Sequence, residues 1–397
     1  MPKSVSEVRA EIPFLRTGIR YLDSASTSLK PQPVIDAIVS YFTEFCVNVG
    51  RGVYSAAVRA TEAFEATREK IARVIGAKPR EIAYTKSTTE AINAVASGLS
   101  FKPGDRVIVS RFEHHSNFLP WERLSGIRGV KLDVVGSSRD CVLDPSEFER
   151  KLHGDVRLVV LHHVSNSVGS VQPVKEIARI SRDNGSLCLV DAAQSVGHMP
   201  VDVEEIGCDY LAAPGHKGLM GPPGTGFLYV REGSPVPEPL LTGGGVIKEG
   251  CKSFEYSGFP QSFDAGTPNV PGIVGLGAGC DYVLDIGPDN ILRRESELVK
   301  ELLKIREIAG VEVYGPMDTG RRAGIVSFNV RNFEPNAVAK MLDLKGFAVR
   351  SGHHCAIPTM QHIGVNGTVR ASVGYYNTRE DVEKFVEAVS EIASGGM

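Results

Sequence analysis

Five short runs in the middle of the chain constrain its fold more than any other feature. They are DRVIVS (105–110), VRLVVLHHV (156–164), SLCLVDAA (186–193), DYLAAP (209–214) and GTGFLYV (224–230). Each is almost continuously apolar, without the polar alternation of a half-exposed strand. Such runs belong to strands covered on both faces. Helix-patterned segments lie between several of them. One is VKEIARISRDNG (174–185), with Gly185 placed to close it. Strands alternating with helices predict an α/β domain with a mostly parallel sheet flanked by helices.

The last third of the chain is patterned differently. Residues 288–310 carry an apolar stripe at Ile291, Leu292, Leu298, Leu302 and Ile305, with Asp289 as a candidate N-cap. GIVSFNV (324–330) is a predicted strand, and Thr378-x-x-Asp381 opens a predicted terminal helix over 378–396 as a capping box. This is a smaller α+β domain. A glycine- and proline-rich stretch, 258–279, separates it from the sheet. The expected division is a large domain over 21–262 and a small domain over 1–20 and 263–397, carrying Cys355 and Arg370. No internal repeat or low-complexity tract interrupts either part.

A formal net charge of −3, with both signs mixed along the 397 residues, argues against a nucleic-acid or membrane-surface protein. The N-terminus has no apolar core of a signal peptide, and no run of about 18 apolar residues occurs, so a cytoplasmic protein is expected. The seven cysteines are widely spaced and form no Cys-x-x-Cys pair. A disulfide framework is not expected. Six are expected to pack as small apolar residues. The seventh, Cys355, stands in RSGHHCAIPTM behind two histidines.

In an open α/β sheet, ligands bind at the carboxyl ends of strands. Four consecutive strand ends here carry reactive groups. His114 and His115 follow the first run, Asn166 the second, Asp191 and Gln194 the third, and His216 and Lys217 the fourth. A lysine on a short glycine-flanked loop can form a Schiff base with a carbonyl cofactor. An aspartate at the next strand end can hold a pyridinium nitrogen protonated. Upstream, Ser87, Thr88 and Thr89 lead into a helix, a favourable phosphate site. Separately, Asp191 reads as a turn residue, Lys217 as a surface lysine and the hydroxyl run as an N-cap. Together they describe a site for pyridoxal 5'-phosphate.

These segments resemble the class V aminotransferase-like enzymes of PLP fold type I. Within them the chain resembles the group II cysteine desulfurase and selenocysteine lyase branch, from about residue 20 to 390. The resemblance implies roles residue by residue. STTEAIN places Thr88 and Thr89 at the phosphate, and EHHSNFLPW places His114 over the ring. HVSNSVG brings Asn166 to the substrate carboxylate. VDAAQ brings Asp191 to the ring nitrogen and Gln194 to the ring hydroxyl. GHKG supplies Lys217 as the Schiff-base lysine and His216 as a phosphate contact. AGTPN supplies Thr267, which reaches the phosphate of the neighbouring subunit in a homodimer. VRSGHHCA supplies Cys355 as sulfur acceptor, and VRASVGYYN supplies Arg370 as the carboxylate clamp. The chain departs from the pattern at Pro214, where relatives carry a phosphate-binding serine, at Ala192 in place of glycine, and at Tyr54 in place of a histidine.

The activity so implied converts L-cysteine to L-alanine, with Lys217 as general base and His114 assisting proton transfers. A persulfide is left on Cys355 for a protein sulfur acceptor. Iron–sulfur cluster assembly is one destination for that sulfur. The attacking group is a thiolate, and Arg350, His353 and His354 are candidate cations beside it. L-Selenocysteine is a second possible substrate, and its more acidic selenol has less need of Cys355. Another class V aminotransferase or epimerase would share Lys217 and Asp191 but have no use for Cys355. A zinc-binding interaction protein would use His353, His354 and Cys355, but adjacent ligands seldom fit one tetrahedral site, and no metal ligand set is expected.

Overall fold

The computed structural model describes residues 3–248 and 254–395. Cys251 and the outermost residues of the expected small domain, 1–2 and 396–397, lie outside them. In chain order the strands are β1 (Arg20–Tyr21), β2 (Ile82–Thr85), β3 (Arg106–Ser110), β4 (Lys131–Val135), β5 (Val156–His162), β6 (Leu187–Asp191), β7 (Tyr210–Pro214) and β8 (Gly226–Val230). They continue with β9 (Val311–Tyr314), β10 (Ile325–Val330), β11 (Phe347–Ala348), β12 (Arg350–Gly352) and β13 (Thr368–Ser372). Among the described residues the large sheet has the order β2-β8-β7-β6-β5-β3-β4. All its pairings are parallel except those of β8, which runs antiparallel to both neighbours.

The continuous apolar runs are explained by burial on two sides. Val159 and Leu161 of β5 join the core under helices Ser55–Ile75 and Val174–Asp183, while Leu158 and Val160 join that under helices Thr88–Gly98 and His115–Arg128. Each such fully buried aliphatic side chain contributes roughly 1.5–3 kcal/mol. The small domain is an antiparallel sheet of order β12-β13-β10-β9. Its core includes Leu298, Leu302, Phe328 and Phe385, drawn in part from helices Pro288–Leu302 and Arg379–Ala393. The N-terminal segment joins this domain through β1, which pairs in parallel with β11.

Several local expectations are corrected. The helix from Pro288 takes Gly287 as its N-cap; Pro288 occupies the first turn, so Asp289 lies inside the helix. The helix ending at Asp183 is capped by Asn184, and Gly185 follows with φ +78°. The terminal helix spans Arg379–Ala393, with the Thr378/Asp381 capping box in place. The glycine-rich stretch is not a linker throughout. From Val270 it forms helix Val270–Ile286, whose Val270, Ile273, Leu276 and Cys280 enter the large-domain core. Its glycines permit close approach: a Cβ on Gly277 would strike Thr67, and one on Gly279 the Leu219 carbonyl. By core membership this helix belongs with the sheet. Cys141, Cys188, Cys208 and Cys280 are buried, but Cys46 is exposed. No single helix among the described residues is long and apolar enough to cross a membrane.

Candidate active site

One cavity of about 290 Å³ opens where the strand ends of the large sheet face the small domain. Thr88, Thr89, His114, Asn166, Asp191, Gln194, His216, Lys217, Cys355 and Arg370 all line it. Ser26, Ser116, His162 and Arg350 line it too. Thr267 does not. It lies on a second cavity, of about 620 Å³, with Gln261 and Asp264.

One end of the cavity is the N-terminus of helix Thr88–Gly98. Ser87 caps that helix, its hydroxyl accepting from the Glu90 N–H at 3.2 Å. Thr88 Oγ1 is buried without a partner, and Thr89 Oγ1 pairs with Ser116 Oγ at 2.7 Å. Pro214 brings no hydroxyl to this wall, but Ser26 and Ser116 do. His216 is held neutral: burial, then Lys217 and Lys30, bring its imidazole down to about 4.

Lys217 lies on the connection that turns the chain from β7 back into antiparallel β8. Its carbonyl accepts from Ser28 Oγ at 2.7 Å and from the Met220 N–H at 2.8 Å. Gly218 is required beside it, because a Cβ there would strike the Val196 carbonyl. Burial pulls the Lys217 amine down to about 8, with Asp191 opposing and Arg370 assisting. Burial pushes the Asp191 carboxyl up to about 6, while the Ala193 N–H, donating to it at 2.9 Å, works the other way. Gln194 Nε2 donates to the Ala25 carbonyl at 2.8 Å. His114 caps helix His115–Arg128 through Nδ1, which accepts from the Ser116 N–H at 3.0 Å. Burial brings its imidazole down to about 3, helped by Lys217, His115 and Arg370.

The small domain supplies the opposite wall. Arg370 on β13 donates from Nη1 to the Asn166 carbonyl at 2.8 Å and from Nη2 to Asp23 Oδ1 at 3.2 Å. Its Nε is buried with no partner. Arg350 meets the same Asp23 at 3.0 Å. Cys355 is exposed and stands on a turn in which His354 and Cys355 both have positive φ, 52° and 53°. Three contacts pin the turn. Asn166 Nδ2 donates to the His354 carbonyl at 2.7 Å, the His115 N–H donates to the Cys355 carbonyl at 2.7 Å, and the Cys355 N–H donates to His353 Nδ1 at 3.0 Å. The two histidines therefore differ. His354 is buried, bonded to Thr368 Oγ1 at 2.8 Å, and brought down to about 3 by burial. Burial keeps it neutral, which removes it from the candidate cations beside the thiol. His353 is exposed and shapes the turn.

The sequence reading missed Asp23, Ser26, Ser116 and His162. Asp23, which joins the two arginines, lies over 300 residues from them, so spacing carries no trace of it. His162 left a signal, a polar residue closing the apolar run of β5.

The unpartnered buried atoms Thr88 Oγ1, Asn166 Oδ1 and Arg370 Nε all belong to residues lining this cavity. Buried polar atoms without partners are rare in folded proteins, so their grouping calls for a polar ligand. A helix N-terminus, an aspartate and an amine in one wall fit pyridoxal phosphate. Among the described residues no group of three His, Cys, Asp or Glu side chains could hold a metal ion.

A family model described as aminotransferase class-V matches residues 20–385. The chain belongs to the class-V aminotransferase family. Within that family, relatives 37–48% identical over nearly the whole chain are named cysteine desulfurase or probable cysteine desulfurase. A probable cysteine desulfurase of Methanothermobacter thermautotrophicus is 48% identical over 397 residues, covering 98% of each chain. The apo cysteine desulfurase of Thermococcus onnurineus NA1 superposes with a TM-score of 0.95 at 42% identity, covering 100% of this chain and 99% of that one. The cysteine desulfurase CsdA of Escherichia coli gives 0.92 at 30% identity over the whole of both chains. This class-V chain is thus an enzyme of the cysteine desulfurase group, with the family's large parallel-dominated sheet and smaller C-terminal domain.

Proposed function

We propose that the chain is a pyridoxal phosphate-dependent cysteine desulfurase that converts L-cysteine to L-alanine and takes the sulfur onto Cys355. One observation carries this reading: a buried amine (Lys217), a buried carboxylate (Asp191), a guanidinium with a free edge (Arg370) and an exposed thiol (Cys355) share one cavity. When bound, the cofactor supplies a carbonyl carbon for amines and a ring that draws electrons from the substrate Cα. Thr88, Thr89 and the helix N-terminus hold its phosphate, and Asp191 holds the proton on its ring nitrogen. Arg370 binds the substrate carboxylate through the Nε edge left free by Asp23 and the Asn166 carbonyl. Lys217 Nζ removes the Cα proton as general base. His114 Nδ1 is occupied as an acceptor, so Nε2 is the nitrogen that carries its proton. The Cys355 thiolate attacks the substrate sulfur: the S–S bond forms, the Cβ–S bond breaks, Cβ takes a proton, and Lys217 Nζ returns the proton to Cα to give alanine.

The exposure of Cys355 suits transfer of its persulfide to a protein acceptor, for iron–sulfur cluster assembly among other uses. L-Selenocysteine fits the same carboxylate clamp. A homodimer is supported by the position of Thr267 outside its own chain's cofactor cavity. Exposed apolar side chains near that second cavity in sequence, Val53 (95%) and Phe254 (90%), point the same way. The reducing cytoplasm is the compartment that fits a catalytic free thiol.

The test is direct. Purified protein loaded with pyridoxal phosphate should be yellow, and should release alanine and sulfide in equal amounts from L-cysteine and a thiol reductant. Cys355→Ala should keep the colour and lose sulfide release. A protein that cannot be loaded, or a variant that releases sulfide at the parent rate, sinks the reading.

A further inference from the structure

Next to Asp191 lies a buried polar cluster, with His162 in the cavity wall, that the reaction above does not use. His162 on β5 stands in register with Asp191 on β6. Glu113, fully buried, meets it from the turn before helix His115–Arg128. Glu113 Oε1 accepts from the His162 backbone N–H at 3.0 Å and lies 2.7 Å from His162 Nδ1. Its other oxygen accepts from Asn117 Nδ2 at 2.6 Å.

The far side of the imidazole fixes its protonation. His162 Nε2 lies 3.1 Å from Gln172 Nε2. The Gln172 amide is oriented by its other contacts: its oxygen accepts from the Leu143 N–H at 2.8 Å, and its nitrogen donates to the Cys141 carbonyl at 2.9 Å. An amide nitrogen cannot accept a hydrogen bond. His162 Nε2 must therefore be the bare acceptor, and its proton sits on Nδ1, donated to Glu113. The imidazole is neutral and the carboxylate charged. The cluster leaves one uncompensated negative charge inside the fold, beside Asp191.

We propose that Glu113, acting through a neutral His162, is an electrostatic positioning residue that makes Asp191 a stronger partner for a protonated ring nitrogen. A buried charge is screened less than one in water. Glu113 is one of the groups that raise the Asp191 carboxyl, against Lys217 on the cavity side and against His162 to the extent that its ring carries charge. An imidazolium at position 162 would cancel that effect, and the hydrogen-bond pattern forbids it. The proposal rests on the reading that Asp191 meets the cofactor ring.

The test compares two ligands. Glu113→Gln keeps the size and removes the charge, and Asn117, whose Oδ1 has no partner, can turn its amide to suit. Binding of pyridoxal phosphate and of its 1-deaza analogue, which has no ring nitrogen, is measured by equilibrium dialysis. Pyridoxal phosphate should bind the variant roughly three- to tenfold more weakly, a fraction of a pK unit to one unit of lost stabilisation. The analogue should bind both proteins alike. Equal weakening of the two ligands, or no weakening, overturns the proposal. Nitrogen-15 NMR of the unsubstituted protein decides independently of folding and of cofactor binding. His162 should show protonated Nδ1 and bare Nε2. A doubly protonated ring or the opposite tautomer overturns it. Failure to bind either ligand would strike the proposed function and leave the NMR result standing.

Discussion

At Lys217, burial does what the lysine itself cannot. An exposed amine is almost wholly protonated near neutrality, whereas one brought down to about 8 has a free-base fraction of roughly a tenth at pH 7. Only the free base attacks a carbonyl, so the rate at which the apo-protein captures pyridoxal phosphate should climb through pH 6–8 and flatten above about pH 8.5. Stopped-flow absorbance would follow this; a flat profile would contradict it. Arg370 is a second case. Two of its nitrogens are already engaged, and the remaining Nε edge presents a planar pair of donors that lysine cannot copy. Arg370→Lys should raise KM for L-cysteine by roughly tenfold or more with a smaller change in kcat. That both residues line this cavity was anticipated, Lys217 from its short glycine-flanked loop and Arg370 from the family resemblance of VRAS. Their protonation and free edges were not, since both depend on neighbours distant in sequence.

At the scale of elements, the Cys355 turn is held in an unfavourable shape by contacts from other segments. Two successive residues without the freedom of glycine take positive φ, which costs of order 1–3 kcal/mol each and persists only where the surroundings insist. Asn166 and His115 from the large domain, and Thr368 on β13, provide that insistence. Thr368→Val would leave buried His354 with neither ring nitrogen paired, since its Nδ1 already lacks a partner. The expected cost is about 1–3 kcal/mol. It should be read locally as faster amide exchange at Cys355, by roughly tenfold, with cofactor colour unchanged. Periodicity displayed the strands of the large sheet that are buried on both faces. It missed β4, whose residues are mostly half-exposed, and β2, only four residues long. It also took the glycines of helix Val270–Ile286 for a linker, because close helix packing and chain flexibility call for the same residue.

For the whole molecule, the two domains are joined behind the cavity by a buried ion pair. His198, which follows β6, meets both carboxylate oxygens of Glu295 on helix Pro288–Leu302, at 3.0 and 3.1 Å. Both side chains are buried, and the carboxylate holds the imidazole above its ordinary pKa against the opposing effect of burial. His198→Leu would strand Glu295 in the interior at a cost of about 3 kcal/mol or more. Urea unfolding should show this as a lower midpoint; Glu295→Gln, which leaves no stranded charge, should lower it less. The chain order of apolar runs and polar strand ends determined by itself a mostly parallel sheet, a hydroxyl-rich helix start suited to phosphate, and the kinds of group that chemistry on an amino acid requires. Those are properties of local period and residue type, which a sequence displays directly. Only the tertiary structure decided which of those groups share a cavity, that His354 is neutral while His353 shapes the turn, that Asp23 joins Arg350 to Arg370, and that Glu113 stands behind Asp191. Each of those depends on burial and on partners brought together across tens to hundreds of residues, and folding alone supplies both.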